Sequence, residues 1–430
     1  MFITIFSSRL ASVGGLALAL AVATSPASAV KCGDTITNNT ILTADLNCTC
    51  DNPNKSGLIV KGPATLDLNG HTVSCSTNQD SQSICIEIGG RGSTVKNGVV
   101  TKCGFGVSAG NEGGFHGALI MDFIATGNGL YGIHVAGNNN KLQNVTAKDS
   151  LYSGYDIDGY FELGYGILVS GNNNGLRHVT AKDNVEHGIF VVGDNNQVTD
   201  SYVARSESTG IQLSGHNNKI ISNTVEDIGG PCLWFAGKAG RHVVKNSTVR
   251  RCGSYGVMFN SNNSIVADNK FDSTGETSIY AYSFDFGDGI ITGNRITKSS
   301  GKGIVLDSNM KAIAANNFIV SNNVVVDSAR NGIVLGPLIT NCRVKNNTVR
   351  KCGMVGLRIR AADANNFTNN KISFCRTGIS AWLGSNRNRF INNRASNSSL
   401  FDLRKLSANC GSNVWKGNAG KGNIACTLQK

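Results

Sequence analysis

The chain has 430 residues, with 40 Lys and Arg against 28 Asp and Glu for a formal charge of +12, and it carries 52 glycines but only 5 prolines. An excess of base attracts acidic partners, among them uronate polysaccharides, anionic membranes and nucleic acid. No Lys/Arg run and no nucleic-acid module occurs, so nucleic acid is not expected and an acidic glycan is the preferred partner.

The first element is a targeting segment. Arg9 precedes the apolar run Leu16 to Ala23, and Ala27-Ser28-Ala29 offers a small-residue cleavage site, so residues 1–29 read as a signal peptide. The mature protein is expected to be secreted or periplasmic. No later stretch of ~20 apolar residues suggests a transmembrane segment, and the 13 cysteines suit an oxidising compartment. Residues 30–103 read as an N-terminal cap grading into first coils. Six cysteines there, Cys32, Cys48, Cys50, Cys75, Cys85 and Cys103, predict a stapled end that covers an otherwise open strand edge.

From Gly132 the chain restarts one phrase: GIHVAGNNN, GILVSGNNN, GIFVVGDNN and GIQLSGHNN begin at Gly132, Gly166, Gly188 and Gly210, at spacings of 34, 22 and 22. Further copies begin at Gly256, Gly303, Gly332, Gly356 and Gly378. A period of this kind means stacked repeats. Short alternating bursts such as Ile211 and Leu213, then Ile220, then Val225 predict three brief strands per repeat. Such a unit cannot bury its apolar face alone, so coils stack as parallel strands about 4.8 Å apart around one core. The predicted fold is all-β, a single solenoid over residues 104–400, with Ile133, Val135, Ile167, Val169, Ile189, Ile211 and Leu213 inside. Asparagine pairs at 139–140, 173–174, 195–196, 217–218 and 262–263 are expected to stack at turns, where Asn tolerates a left-handed backbone. They are assigned to architecture.

Chemistry is sought where the repeat breaks. The spacing of 34 inserts about a dozen residues, SLYSGYDIDGYFELGY, between the first two copies. Stacking would bring Asp156, Asp158 and Glu162 of this insert near His187 and the Arg205-x-Glu207 corner, with His134 outward on the overhung strand and Tyr155 and Tyr160 alongside. The expected roles are catalytic for Asp156, His187, Tyr155 and His134, which could move a proton beside a uronate carboxylate. The sequence makes no cofactor certain; Asp158 and Glu162 would suit a hard cation such as calcium.

Further along, counting from each repeat start puts Gln212, Met258, Val305, Val334 and Arg358 in one outward column and Ser214, Asn260, Asp307, Arg360 and Trp382 in the next, with Tyr280 and Tyr282 in the same two. Arg358, Arg360, Trp382, Tyr280 and Tyr282 are the expected substrate-binding residues, because guanidinium forks pair with carboxylates and aromatic rings stack on sugars. Residues 401–430 read as a C-terminal cap closed by Cys410 and Cys426. Cys352 and Cys375 occupy equivalent places in adjacent coils, to pair or merely stack, and the odd cysteine count leaves one thiol over.

The repeats resemble the right-handed parallel β-helix family that includes pectate lyases and related secreted polysaccharide enzymes. Ser153-Gly154-Tyr155-Asp156-Ile157-Asp158-Gly159 also resembles the Tyr-Gly-Phe-Asp-Pro-His-Asp motif of mannuronan C5-epimerases, and His187-Gly188-Ile189 the His-Gly-Ile that follows it there. The resemblance implies that Asp156 matches the motif Asp and Tyr155 its aromatic; Ile157 and Asp158 replace Pro-His, so the motif His is missing. Arg358-Ile359-Arg360 is faintly like the Arg-Ile-Lys of polygalacturonases, without that family's Asp-Asp and Gly-His-Gly. The β-helix resemblance also admits periplasmic metal-delivery proteins, but the histidines show no ligand spacing. Three readings follow: a lyase or C5-epimerase acting on acidic polysaccharide, a non-catalytic glycan-binding module, or a structural surface coil. A monomer is expected.

Overall fold

The structure is a computed structural model, and it describes residues 29–50, 56–76, 83–110, 116–151, 164–236, 240–283, 287–308, 316–382, 384–405 and 412–423. Each regular coil contributes three strands, as in Tyr165–Ser170, Gly175–Arg177 and Thr180–Lys182, followed one coil later by Ile189–Val192, Gln197–Thr199 and Tyr202–Ala204. Pairing is parallel and in register, so that Ile167, Ile189, Ile211 and Leu233 lie one above another. The first strands of the coils form one 17-stranded sheet, here the front sheet. The second and third strands form the back and side of the coil. Paired strands run from Thr35 to Asn423, and the chain is a right-handed parallel β-helix protein.

Strand alternation sets what is buried. Ile133, Val135, Ile167, Val169, Ile189, Ile211 and Leu213 all face inward, at 0–1% exposure, as their spacing predicts. Near the C-terminus the core turns aromatic, with Phe367, Phe390 and Trp415 stacked at 4.8 and 3.9 Å between centroids.

The asparagine pairs divide their work. Asn139, Asn173, Asn195 and Asn217 take positive φ and make the turn. Asn140, Asn174 and Asn196 each donate a backbone N–H, at 2.8 Å, to the side-chain carbonyl of the next ladder residue. A second ladder runs from Asn269 through Asn294, Asn323, Asn347 and Asn370 to Asn393, each side-chain amide donating both to the next Asn and to a carbonyl of the preceding coil. These amides are buried, and each would cost about 1–3 kcal/mol if left without partners. Stacking satisfies them at every level.

The six N-terminal cysteines pair as Cys32–Cys48, Cys50–Cys75 and Cys85–Cys103. Cys352 and Cys375 are bonded rather than merely stacked. Cys232–Cys252 adds a bridge not foreseen from the sequence, and Cys342 is a buried free thiol. The expected Cys410–Cys426 closure and residues 1–28 of the expected signal peptide lie outside the described residues. No described helix is long and apolar enough to cross a membrane.

Candidate functional site

The outer face of the front sheet carries those expected residues that lie among the described ones in two groups. Toward the N-terminus a column of rings climbs one residue per coil. Phe105 pairs in register with Tyr131, and Tyr131 with Tyr165; ring centroids are 5.0 Å apart for Phe105–Tyr131, 5.4 Å for Tyr131–Tyr165 and 4.9 Å for Tyr165–His187. His134 leans on Phe105 and Tyr131 at 5.8 and 5.5 Å, and Phe190 meets His187 edge-on at 5.5 Å.

Burial in this company depresses the pKa of both His134 and His187 to about 4, because a low-dielectric site disfavours the imidazolium. Both rings are neutral at neutral pH. The Tyr165 hydroxyl is raised by burial and by Tyr131, so it stays protonated. Glu186, with its carboxylate 3.8 Å from His187 Nδ1, is raised by burial. His134 and His187 thus share a face, two coil steps and three strand positions or about 14 Å apart, and each contacts a different part of the ring column. Tyr155, Asp156, Asp158, Tyr160 and Glu162 lie outside the described residues. Arg205 does not join this group: it turns to Asp183, with Nη2 2.9 Å from Oδ2, because its positive φ at the end of its strand sends the side chain along the side of the coil.

The second group forms a trough of about 360 Å³. Register confirms the counted column Gln212, Met258, Tyr280, Val305, Val334 and Arg358 and adds Trp234 to it. Tyr280 and Tyr282 stack at 5.5 Å, and Tyr255 backs Tyr280 at 5.0 Å. Three coil steps away, about 14 Å, Arg358 and Arg360 close the other end, with the Arg358 guanidinium 4.5 Å over the Trp382 ring. Val334 and Gly336 line the trough between them.

Asp307 lies inside it. Its carboxyl pKa is raised by burial, against the pull of Lys302 and Arg360. The carboxylate occupies the space where a side chain on Gly336 would start, since a Cβ there would collide with it. Gly336 has no left-handed φ, so the close approach, and not the backbone, favours glycine. Arg358 is lowered by burial and by the charge of Arg360, and its Nε has no acceptor among the described residues. None of Lys302, Arg358 and Arg360 makes an ion pair among the described residues. A cleft with aromatic walls at one end and unpaired cations at the other suits a ring that carries a carboxylate.

Sequence reasoning missed Lys302, Tyr255 and Gly336. Lys302 and Tyr255 stand one residue before Gly303 and Gly256, the place held by Tyr131, Tyr165 and His187 in other coils. Counting that column as well would have found them.

The sequence matches the family model described as right handed beta helix region over residues 187–337, and the model described as periplasmic copper-binding protein (NosD) over 312–425. No curated protein matches. Similar solved structures include an alginate lyase from Paenibacillus sp. str. FPU-7, at 14% identity over 67% of this chain and 97% of that one, TM-score 0.41. Others are a mannuronan C-5 epimerase A-module of Azotobacter vinelandii, at 14% over 85% and 90%, TM-score 0.43, and PfbA, a surface adhesin of Streptococcus pneumoniae, at 14% over 82% and 85%, TM-score 0.44. At these scores the likeness carries no argument about chemistry.

The copper-binding description does not fit the residues it covers. Stretch 312–425 contains no histidine and a single methionine, Met354, and its described free thiol, Cys342, is buried; soft copper sites need several such ligands together. The one described grouping of three candidate ligand residues, Cys50, Cys75 and Cys103, consists of sulfurs already spent in disulfides.

Proposed function

We propose that this right-handed β-helix protein is exported and holds an acidic polysaccharide along the outer face of its front sheet, acting on it by lyase or C5-epimerase chemistry. The observation that carries the reading is the trough, in which Arg358 and Arg360 at one end face Tyr280 and Tyr282 at the other, with Lys302 on the strand beside the tyrosines, and none of the three cations has an ion-pair partner among the described residues. Guanidinium forks would hold uronate carboxylates and the tyrosines would stack on neighbouring rings, supplying affinity seven coil steps, about 34 Å, from the ring column. His187 and His134, neutral at working pH, would act with Asp156 and Tyr155 of the insert.

A second reading is a glycan-binding module without turnover. It is favoured by the same imidazoles, since a pKa of about 4 makes a weak base. Incubation with alginate, polygalacturonate and glycosaminoglycans, with and without calcium, separates the two. Turnover appears as unsaturated-uronate absorbance or as proton exchange at C5, and it should vanish in Asp156→Asn and His187→Ala. Retention on an alginate column should fall about tenfold or more in Arg358→Gln/Arg360→Gln, with a flatter salt dependence. Retention without turnover selects the binding module; no retention of the wild type on any of these polymers refutes both.

A further inference from the structure

Most of the positive charge is not on the front sheet. Between Gly289 and Arg404 the sequence holds seventeen Lys and Arg against four Asp and Glu, and much of this excess projects from the side of the last coils. The third strands Thr348–Cys352, Lys371–Ser373 and Arg394–Ser396 pair in register, Thr348 with Lys371 and Lys371 with Arg394. Arg350, Lys371 and Arg394 are exposed on them, followed at the corner by exposed Lys351 and Arg376, with Arg330 one coil earlier. None of these six has an ion-pair partner among the described residues. Earlier coils differ: Arg205, Arg250 and Arg251 are all bonded to carboxylates of the preceding coil. Of the acids nearby, Asp327 is exposed one coil from Lys351, and Asp402 is buried, accepting from the backbone of Ser398 and Lys421.

The same corner exposes large apolar side chains. Met354, Phe374 and Leu400 are 41, 51 and 50% exposed. The strands leading away pair Val355 with Thr377 and Thr377 with Phe401, so Met354, Arg376 and Leu400 stand in one column. Arg330 precedes them, its carbonyl accepting from the Met354 N–H at 2.7 Å. Base and apolar residue therefore alternate over three coil steps, about 14 Å. Phe374 stands beside Lys351 in the adjoining column.

We propose that this edge docks on an anionic phospholipid bilayer, with Met354, Phe374 and Leu400 entering the headgroup and acyl boundary while Arg330, Arg350, Lys351, Lys371, Arg376 and Arg394 lie on the phosphates. Cations spread over a strand face and its corner fit a surface better than a thread. Exposed Met, Phe and Leu among them have no use against a soluble polyanion, whereas burial of apolar area together with Coulombic attraction is what holds a protein in a membrane interface. The inference is independent of the trough, whose cations are other residues.

Vesicle flotation tests it, with phosphatidylcholine alone against phosphatidylcholine containing one third phosphatidylglycerol. The wild type should float with the anionic vesicles and not with the neutral ones. Arg350→Gln/Lys371→Gln/Arg394→Gln should partition about one hundredfold more weakly at low salt. Met354→Ser/Phe374→Ser/Leu400→Ser should still float at low salt but be released at a salt concentration that the wild type withstands. All six positions point outward, so melting temperatures should match the wild type, and Arg358→Gln/Arg360→Gln should float normally. Failure of the wild type to float, equal flotation with neutral vesicles, or wild-type flotation of the charge variant overturns the proposal. So does retention on a heparin column through these residues without flotation, which would assign the edge to a soluble polyanion.

Discussion

His242 lies flat on Phe235, ring centroids 4.7 Å apart at 6°, and burial is the main cause that brings its pKa down to about 4. His134 and His187 are lowered in the same way. A histidine whose folded pKa lies below its unfolded value of about 6.5 binds its proton more readily in the unfolded chain. Stability is therefore full above about pH 6.5 and is lost as pH falls toward 4, each group removing on the order of 2 kcal/mol by about pH 5. Glu186 and Asp307, raised by burial, act in the opposite sense nearer the acid end. The urea midpoint should thus drop between pH 7 and pH 5, and His242→Phe, which keeps the stack, should make the drop shallower. A flat profile in the wild type, or an unchanged slope in the variant, would contradict the burial argument.

At the scale of the strand and its turn, Gly336 matters through the side chain it lacks. Its backbone needs no special conformation, yet the Asp307 carboxylate fills the place of a Cβ, and the trough exists because this step of the column is bare. Gly336→Val should leave the melting temperature within a few degrees, fill the trough and cut alginate retention at least as far as the double arginine variant; unchanged retention would move the polysaccharide elsewhere on the face. Tyr280, Tyr282, Asp307, Arg358, Arg360 and Trp382 were legible beforehand because alternation along a strand and register between coils turn three-dimensional position into counting from each repeat start. Gly336 was not, since a glycine in a glycine-rich repeat gives no signal. The Cys232–Cys252 bridge was hidden for a related reason: it joins the start of a front strand to the end of the following side strand, a relation fixed by how coils close rather than by equivalent places in successive repeats. The ring column was half legible. His134 and His187 were placed on one face, but the depth to which Tyr131, Tyr165 and Phe190 bury them, and hence their weak basicity, depends on packing that counting does not weigh.

Across the whole molecule the charge of +12 is unevenly placed, and no run of Lys and Arg announces it because residues that touch are one coil apart, 23 to 24 positions between the last charged strands. In the middle coils, cross-coil pairs such as Arg205–Asp183 and Arg251–Asp227 face solvent and contribute at most about 1 kcal/mol each, while Arg250 reaches the buried carboxylate of Glu226. In the last coils Lys371 stands directly beside Arg394, as Lys270 stands beside Arg295 further back, and like charges in adjacent strands repel. Salt screens both situations over about 10 Å at 0.1 M, but with opposite consequences. Each coil contacts only its neighbours, so local stabilities are largely separable along the solenoid. Hydrogen exchange followed peptide by peptide should show amides of residues 343–396 gaining protection as salt is raised, while those of residues 183–251 hold steady or lose a little. A uniform response, or loss of protection in the last coils, would mean that their bases already have counter-charges and would remove the electrostatic argument for a docking edge there.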